Sequence, residues 1–196
     1  MCQRAERRLR VKVSREQMKA NRQRILTEAG RLFREKGFDA VGVAEVMKAA
    51  GLTHGGFYGH FASKDDLIAQ TVAHLFEPAD GQQARLADLS SFMDAYLSPR
   101  HRAGVARGCP TAALAADIRR QGPEARSAMT EGLRSQIDGM TAAISETSSP
   151  DARRAATGAW AAMVGAVIMA RTIDDEALSD QMLKDVRDWV GVRLEA

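Results

Sequence analysis

Two histidines, a tyrosine and a lysine fall close together as His54, Tyr58, His60 and Lys64 in the stretch Gly51 to Leu67, GLTHGGFYGHFASKDDL. Such a set could ligate a metal, move protons, or donate hydrogen bonds to a polyanion. No carboxylate or thiol accompanies the histidines at ligand spacing, so neither a metal site nor a catalytic one is expected. What remains is a group of donors of the kind that meets base edges and phosphate oxygens. Presenting them requires a scaffold, and the flanking residues spell one. Val43, Val46, Met47 and Ala50 form the i, i+3, i+4, i+7 face of a short helix. Gly51 permits a left-handed turn. Leu52 and Phe57 are placed to pack back, and Thr53 is placed to cap a second helix whose open end carries His54, Gly55, Gly56 and Tyr58. Helix, glycine turn and exposed second helix make up the helix-turn-helix arrangement.

Two short helices around a glycine occur in many helical proteins, but the pattern here runs further. Ile25 to Ala29, Leu32-Phe33, Lys36-Gly37-Phe38, Ala49 to Leu52, and the string FYGHFASKDDL from Phe57 to Leu67 stand in order. Together they resemble the N-terminal domain of TetR-family transcriptional regulators over residues 18–76. The resemblance implies an all-α fold of nine or so helices, in which a three-helix DNA-reading domain precedes a larger C-terminal helical bundle. It implies a homodimer that binds an approximately palindromic double-stranded DNA operator, represses transcription, and is released by a small apolar effector. It places Tyr58, His60 and Lys64 at phosphates and leaves His54 as the main side chain able to reach base edges. Where the family commonly has Thr or Ser at the start of the second helix, this chain has Val41-Gly42-Val43. The Gly42 amide can still meet an anion there, but a hydroxyl contact is absent.

Glycines 55, 56 and 59 each cost a helix about 1 kcal/mol relative to alanine, so the second helix is expected to be soft. It is either a poor helix held by Phe57 and Phe61, or a surface whose missing side chains let backbone approach DNA.

Charge distribution points the same way. The net charge of +3 hides an asymmetry, since residues 1–76 carry 14 Lys/Arg against 8 Asp/Glu and residues 77–196 carry 14 against 17. Residues 1–17 form a basic arm, read either as a solvated tail or as a segment that follows phosphate. The organisation expected is this arm, a helix-turn-helix domain over 18–62, a connecting helix over 63–78, and a ligand-binding and dimerisation domain over 79–196. The first helix is expected from Met18 to Lys36, with Arg31 and Arg34 as surface charge. Ser63 and Asp66 resemble a capping box that opens the connector.

Cys2 and Cys109 are too few and too far apart for a disulfide framework, which fits a reducing cytoplasm. A basic start followed by Leu9-Arg10-Val11-Lys12-Val13 does not read as a signal peptide. The longest charge-free run, Ala155 to Ala170, spans about 24 Å as a helix, short of the roughly 30 Å hydrocarbon core, so no membrane span is expected.

In the C-terminal half, helices are expected from about Leu86, from Cys109-Pro110 after a basic loop over 98–108, from Pro123, from Ser149-Pro150, and from Asp174 or Asp175. Phe92, Tyr96 and Trp160, with Met129, Leu133, Met140 and Met163, are candidates to line an adaptable apolar cavity, or simply fill the core. The last two helices are the candidate dimer interface. Small residues Ala155, Ala159, Ala162, Gly165 and Ala166 allow close approach, and Leu178, Met182 and Val186 supply apolar area. Cys109, at a helix start where backbone amides can lower a thiol pKa, is a possible redox sensor, the alternative being a buried apolar cysteine. No phosphate loop, nucleophile elbow or strand pattern is present, so neither an enzyme nor a cofactor is expected. The competing reading is a helical binding or architectural protein with non-specific DNA affinity.

Overall fold

A computed structural model describes residues 14–77, 88–145 and 149–195, and every regular element among them is helical. Most of the basic arm, the end of the connecting helix at Pro78, and the expected helix start at Leu86 lie outside these residues.

Helix α1 runs Arg15–Lys36 and begins three residues earlier than the apolar periodicity suggests, because the Ser14 hydroxyl caps it by accepting from the Gln17 amide at 3.1 Å. It buries Ile25, Leu26, Ala29, Leu32 and Phe33, and it stops at Gly37, whose φ of 80° only glycine adopts without strain. Helix α2 (Val43–Ala49) buries Val46 and Met47. Gly51, at φ 69°, turns the chain into a 3-10 helix over His54–Gly59. Helix α3 (Lys64–Leu75) follows, capped as expected by Ser63, which accepts from the Asp66 amide at 3.0 Å. The Asp66 carboxylate reaches back one residue further than in the usual capping box, to the Ala62 amide at 2.8 Å.

The C-terminal half comprises α4 (Leu89–Tyr96), α5 (Pro99–Ala103), a 3-10 turn over Val105–Arg107, α6 (Pro110–Ile118), α7 (Pro123–Ile144), α8 (Pro150–Thr172) and α9 (Glu176–Glu195). The expected basic loop over 98–108 therefore contains a short helix, with Ser98 capping it through the His101 amide and Pro99 at its first position. Asp175 caps α9 by accepting from the Ala177 and Leu178 amides.

Two apolar clusters hold these elements. The first joins Ile25, Phe33, Phe38, Met47, Phe57 and Leu67 to Leu114, Ile118, Ala125 and Met129, so its packing continues from the N-terminal helices into α6 and α7. The second gathers Met93, Tyr96, Met140, Trp160, Met163, Val167, Leu183 and Val190. Each large side chain taken out of water contributes about 1.5–3 kcal/mol. The end of α3 is seated between two helical glycines: a Cβ on Gly30 would lie 2.7 Å from Leu75, and one on Gly132 of α7 only 2.2 Å from the Phe76 ring. Helix α8 is long and apolar enough to cross a membrane by length and composition, yet it packs Ala156, Trp160, Met163, Val167 and Ala170 inside the chain, as a core helix does.

Candidate nucleic-acid interface

The reading surface is built on a helix that its own glycines disfavour. With three glycines in six residues, the segment His54–Gly59 closes as a 3-10 turn, not as the α-helix expected, and Thr53 occupies its N-cap without a side-chain hydrogen bond. Phe57 compensates. It is buried against Phe61, with ring centroids 5.7 Å apart, and belongs to the first apolar cluster. The other end of the turn is held from α1 by Arg22. Its guanidinium donates to the His60 carbonyl and to the Gln70 amide oxygen, and its Cζ lies 4.5 Å from the centre of the Phe61 ring. Gln70 in turn donates to Asp66, so clamp and helix cap form one network. Arg22 is thus a positioning residue, and its partners lie 38 and 48 residues away in the chain.

Outward from this anchored turn, Thr53, His54, Gly55, Gly56 and Tyr58 are exposed, with Tyr58 at 72%. Its ring meets Phe57 edge-on, with centroids 5.2 Å apart, and is otherwise open. Lys64, at the first position of α3, is half-buried and makes no ion pair among the described residues. Gly42 is exposed at the N-cap of α2, with nothing near the place a side chain would take. His60 is half-buried, and burial together with the Arg22 charge holds its pKa below the usual histidine value. At neutral pH it offers a hydrogen bond, not a charge.

The remaining arginines of α1 divide. Arg31 pairs with Glu28 and Glu35 at 2.9 and 3.1 Å, as surface charge does. Arg34, expected to be the same, instead lies half-buried and donates to the Ala106 carbonyl at 2.9 Å, linking α1 to the segment before α6.

The candidate cavity residues are brought together in part. Phe92, Tyr96 and Trp160 form an aromatic cluster, with centroids 5.4 Å apart for Tyr96 and Trp160 and 6.5 Å for Phe92 and Trp160. Met140 and Met163 share its cluster, and Leu133 packs against both clusters. Met129 does not join them: it lies in the first cluster, under α3. Cys109 is buried and unpaired at the N-cap of α6, and its amide donates to His101 Nε2 at 3.0 Å.

On α8 and α9 the expected interface splits between two faces. Ala159 and Ala166 are buried in this chain's own second cluster, because small residues run right around α8 and the spacing alone does not say which face turns inward. Ala155, Ala162, Gly165, Met182 and Val186 are half-buried. Leu178, at 53% exposure, stands with Ile168, Met169, Trp189 and Val192 among the exposed apolar side chains of these two helices.

Among the described residues, no cluster of three or more His, Cys, Asp or Glu could hold a metal ion.

Residues 25–71 match the profile described as bacterial regulatory proteins of the tetR family, and residues 85–186 match that of a tetracyclin repressor-like C-terminal domain. The chain is 39% identical over 57 residues to the HTH-type transcriptional regulator AcrR of Shigella flexneri, covering 29% of this chain and 26% of that protein. It is 29% identical over 128 residues to the HTH-type transcriptional repressor NemR of Escherichia coli, covering 59% of this chain and 63% of that one. These matches therefore span less than two thirds of either relative. The crystal structure of E. coli NemR in its reduced form superposes with a TM-score of 0.72 at 22% identity, over 87% of this chain and 96% of that one. A TetR-family regulator from Agrobacterium tumefaciens gives 0.71 at 21%, over 87% and 97%.

Proposed function

Since the chain belongs to the tetR family of bacterial regulatory proteins, we propose that it is a dimeric, cytoplasmic repressor of transcription whose operator affinity is set by a small apolar ligand in the C-terminal half. The single observation that carries the DNA reading is the exposed row Thr53, His54, Tyr58 on a turn held from behind by Phe57 and Arg22. His54 meets a base edge. Thr53, Tyr58, His60, Lys64 and the Gly42 amide meet phosphate, and Gly55 and Gly56 let backbone come close.

A second copy docks on the outer faces of α8 and α9, where Gly165, Ile168, Met169, Leu178, Met182 and Trp189 supply the apolar area. The ligand lies against Phe92, Tyr96, Trp160 and Met163, beside Leu133 and Met140. Nothing in the arrangement calls for turnover of that ligand, and no enzymatic role is assigned.

The test is a titration of the purified protein against DNA flanking its own gene and against the same DNA scrambled, at several salt concentrations. Tighter binding to the flanking DNA by at least about a thousandfold is expected of a specific regulator. Equal affinity would instead support an architectural protein.

A further inference from the structure

The aromatic cluster of the second domain encloses polar groups that the chain satisfies poorly. Tyr96 and Trp160 are only 7% and 5% exposed; the Trp160 indole N–H has no hydrogen-bond partner, and the Tyr96 hydroxyl has only the Cys109 thiol, a weak one, beside it. Near Tyr96, Arg171 in the last turn of α8 donates Nε to the Arg102 carbonyl at 3.1 Å and Nη2 to the His101 carbonyl at 3.2 Å. Its Nη1 is buried with no partner, and no carboxylate pairs with it among the described residues. Several of the neighbouring acceptors are already in use. His101 takes the Cys109 amide on Nε2 and places Nδ1 2.6 Å from the Tyr96 carbonyl, a pairing that fixes the neutral tautomer. Asp180 and Glu176 are turned to Arg102.

Buried polar groups left unpaired cost about 1–3 kcal/mol each, so the poorly met donors of Arg171, Tyr96 and Trp160 need a reason. An indole N–H and a guanidinium can only donate, and a phenol also donates readily. Their complement is a group with several acceptor oxygens, and the uncompensated guanidinium asks that it be anionic. The wall around them is Phe92, Met140 and Met163, which takes an apolar body. A cleft of about 380 Å³ opens on the guanidinium; Arg102, Arg171, Ile173 and Ser179 line it together with the carboxylates Asp174 and Glu176, the latter turned to Arg102.

We propose that the effector is a small organic acid, its carboxylate held by Arg171 and Tyr96 and its apolar body against the aromatic cluster. This rests on the reading of the second domain as ligand-binding. The Arg171 contacts also fix the carbonyls of α5, and Arg34 of α1 holds the next turn through Ala106. A carboxylate competing for the guanidinium therefore acts on a segment that the reading domain also grips.

The experiment is calorimetric titration of the full chain with benzoate and hexanoate, each against its alcohol, in the parent, Tyr96→Phe and Arg171→Met. At least one acid should bind about tenfold or more tighter than its alcohol. Tyr96→Phe removes at most the weak contact with the Cys109 thiol, so it should weaken that acid severalfold, leave the alcohol unchanged and fold normally. Arg171→Met should erase the preference; if it does not fold, the Tyr96→Phe result decides alone. Acids binding no better than alcohols, or indifferent to Tyr96→Phe, would overturn the proposal while leaving DNA recognition standing. The same acid added to the complex with DNA flanking the gene should weaken it. Binding that leaves that complex unchanged would retain the acid site and overturn its role as effector site.

Discussion

Around the reading turn, buried polar groups are paired and the unpaired ones face water. Arg22 spends its guanidinium on His60, Gln70 and the Phe61 ring, and Asp66 spends its carboxylate on Ala62 and Gln70. In the second domain the pattern is reversed. There Tyr96, Thr111, Trp160 and Arg171 each hold a buried polar atom without a partner. The first arrangement spends its interactions on fixing a shape, so that exposed groups meet a large, wet, charged partner in register. The second leaves interactions unmade in a dry place, where a small partner gains most from making them. The contrast has one exception, Thr71 of α3, whose hydroxyl is buried and unpaired within the first cluster.

The largest expected effect that bears on this contrast comes from Arg22→Met. Removing a clamp made of charged hydrogen bonds should cost about 3 kcal/mol in urea unfolding and abolish specific DNA binding, whereas retained binding would show that the turn holds itself. Next, His54→Ala should lower operator affinity by about 1–3 kcal/mol while leaving scrambled-DNA binding and stability unchanged. Lys64→Ala should weaken both DNAs alike and reduce the log-log salt slope by roughly one per contact. An equal loss on both DNAs for His54→Ala would remove it as a reader.

Of opposite sign, Tyr96→Phe should leave the ligand-free protein unchanged or stabilise it by up to about 1 kcal/mol, since the buried hydroxyl it deletes has only a thiol beside it. Clear destabilisation in thermal melts would mean that the hydroxyl is satisfied in solution. The smallest effect concerns pH. Burial holds both His60 and His101 below the usual histidine value, with the charges of Arg22 and Arg171 adding to it. The unfolded chain therefore binds protons that the folded one refuses as pH falls through about 6.5. Stability should be greatest above that value and decline below it until the folded rings protonate. Urea midpoints at about pH 7.5 and 5.5 measure this, and His101→Gln should show the shallower change between the two.

How far the sequence reached depended on whether a signal was local. Gly37, Gly51 and Ser63 act through their own φ angle or a partner three residues on, and those boundaries were legible. Ser14 with Gln17, and Ser98 with Pro99, are equally local, but the basic residues around them read as arm and loop. The 3-10 form of the recognition segment follows from the same glycines that predict a soft helix. What the sequence did not hold were pairings between distant residues. Arg22 with Gln70, Arg34 with Ala106 and Arg171 with His101 are separated by 48, 72 and 70 residues. An arginine with no local partner reads as surface charge until the fold brings one. The inward face of α8 was ambiguous for a different reason: with alanine and glycine on every side, burial of Ala159 and Ala166 is decided by α4, α7 and α9, not by α8 itself.

The Phe76 ring stands where any side chain at position 132 would have to be. Its seat on α7 is a gap one residue long, flanked in the same helix by Met129 and Leu133. Were α7 to slide along α3 by a turn, the ring would leave that gap and strike a side chain. Axial travel is therefore barred, and tilting about the seated ring is left as the motion available between these helices. The contact is in this sense a pivot, about which α3 and α7 can tilt more readily than they can slide.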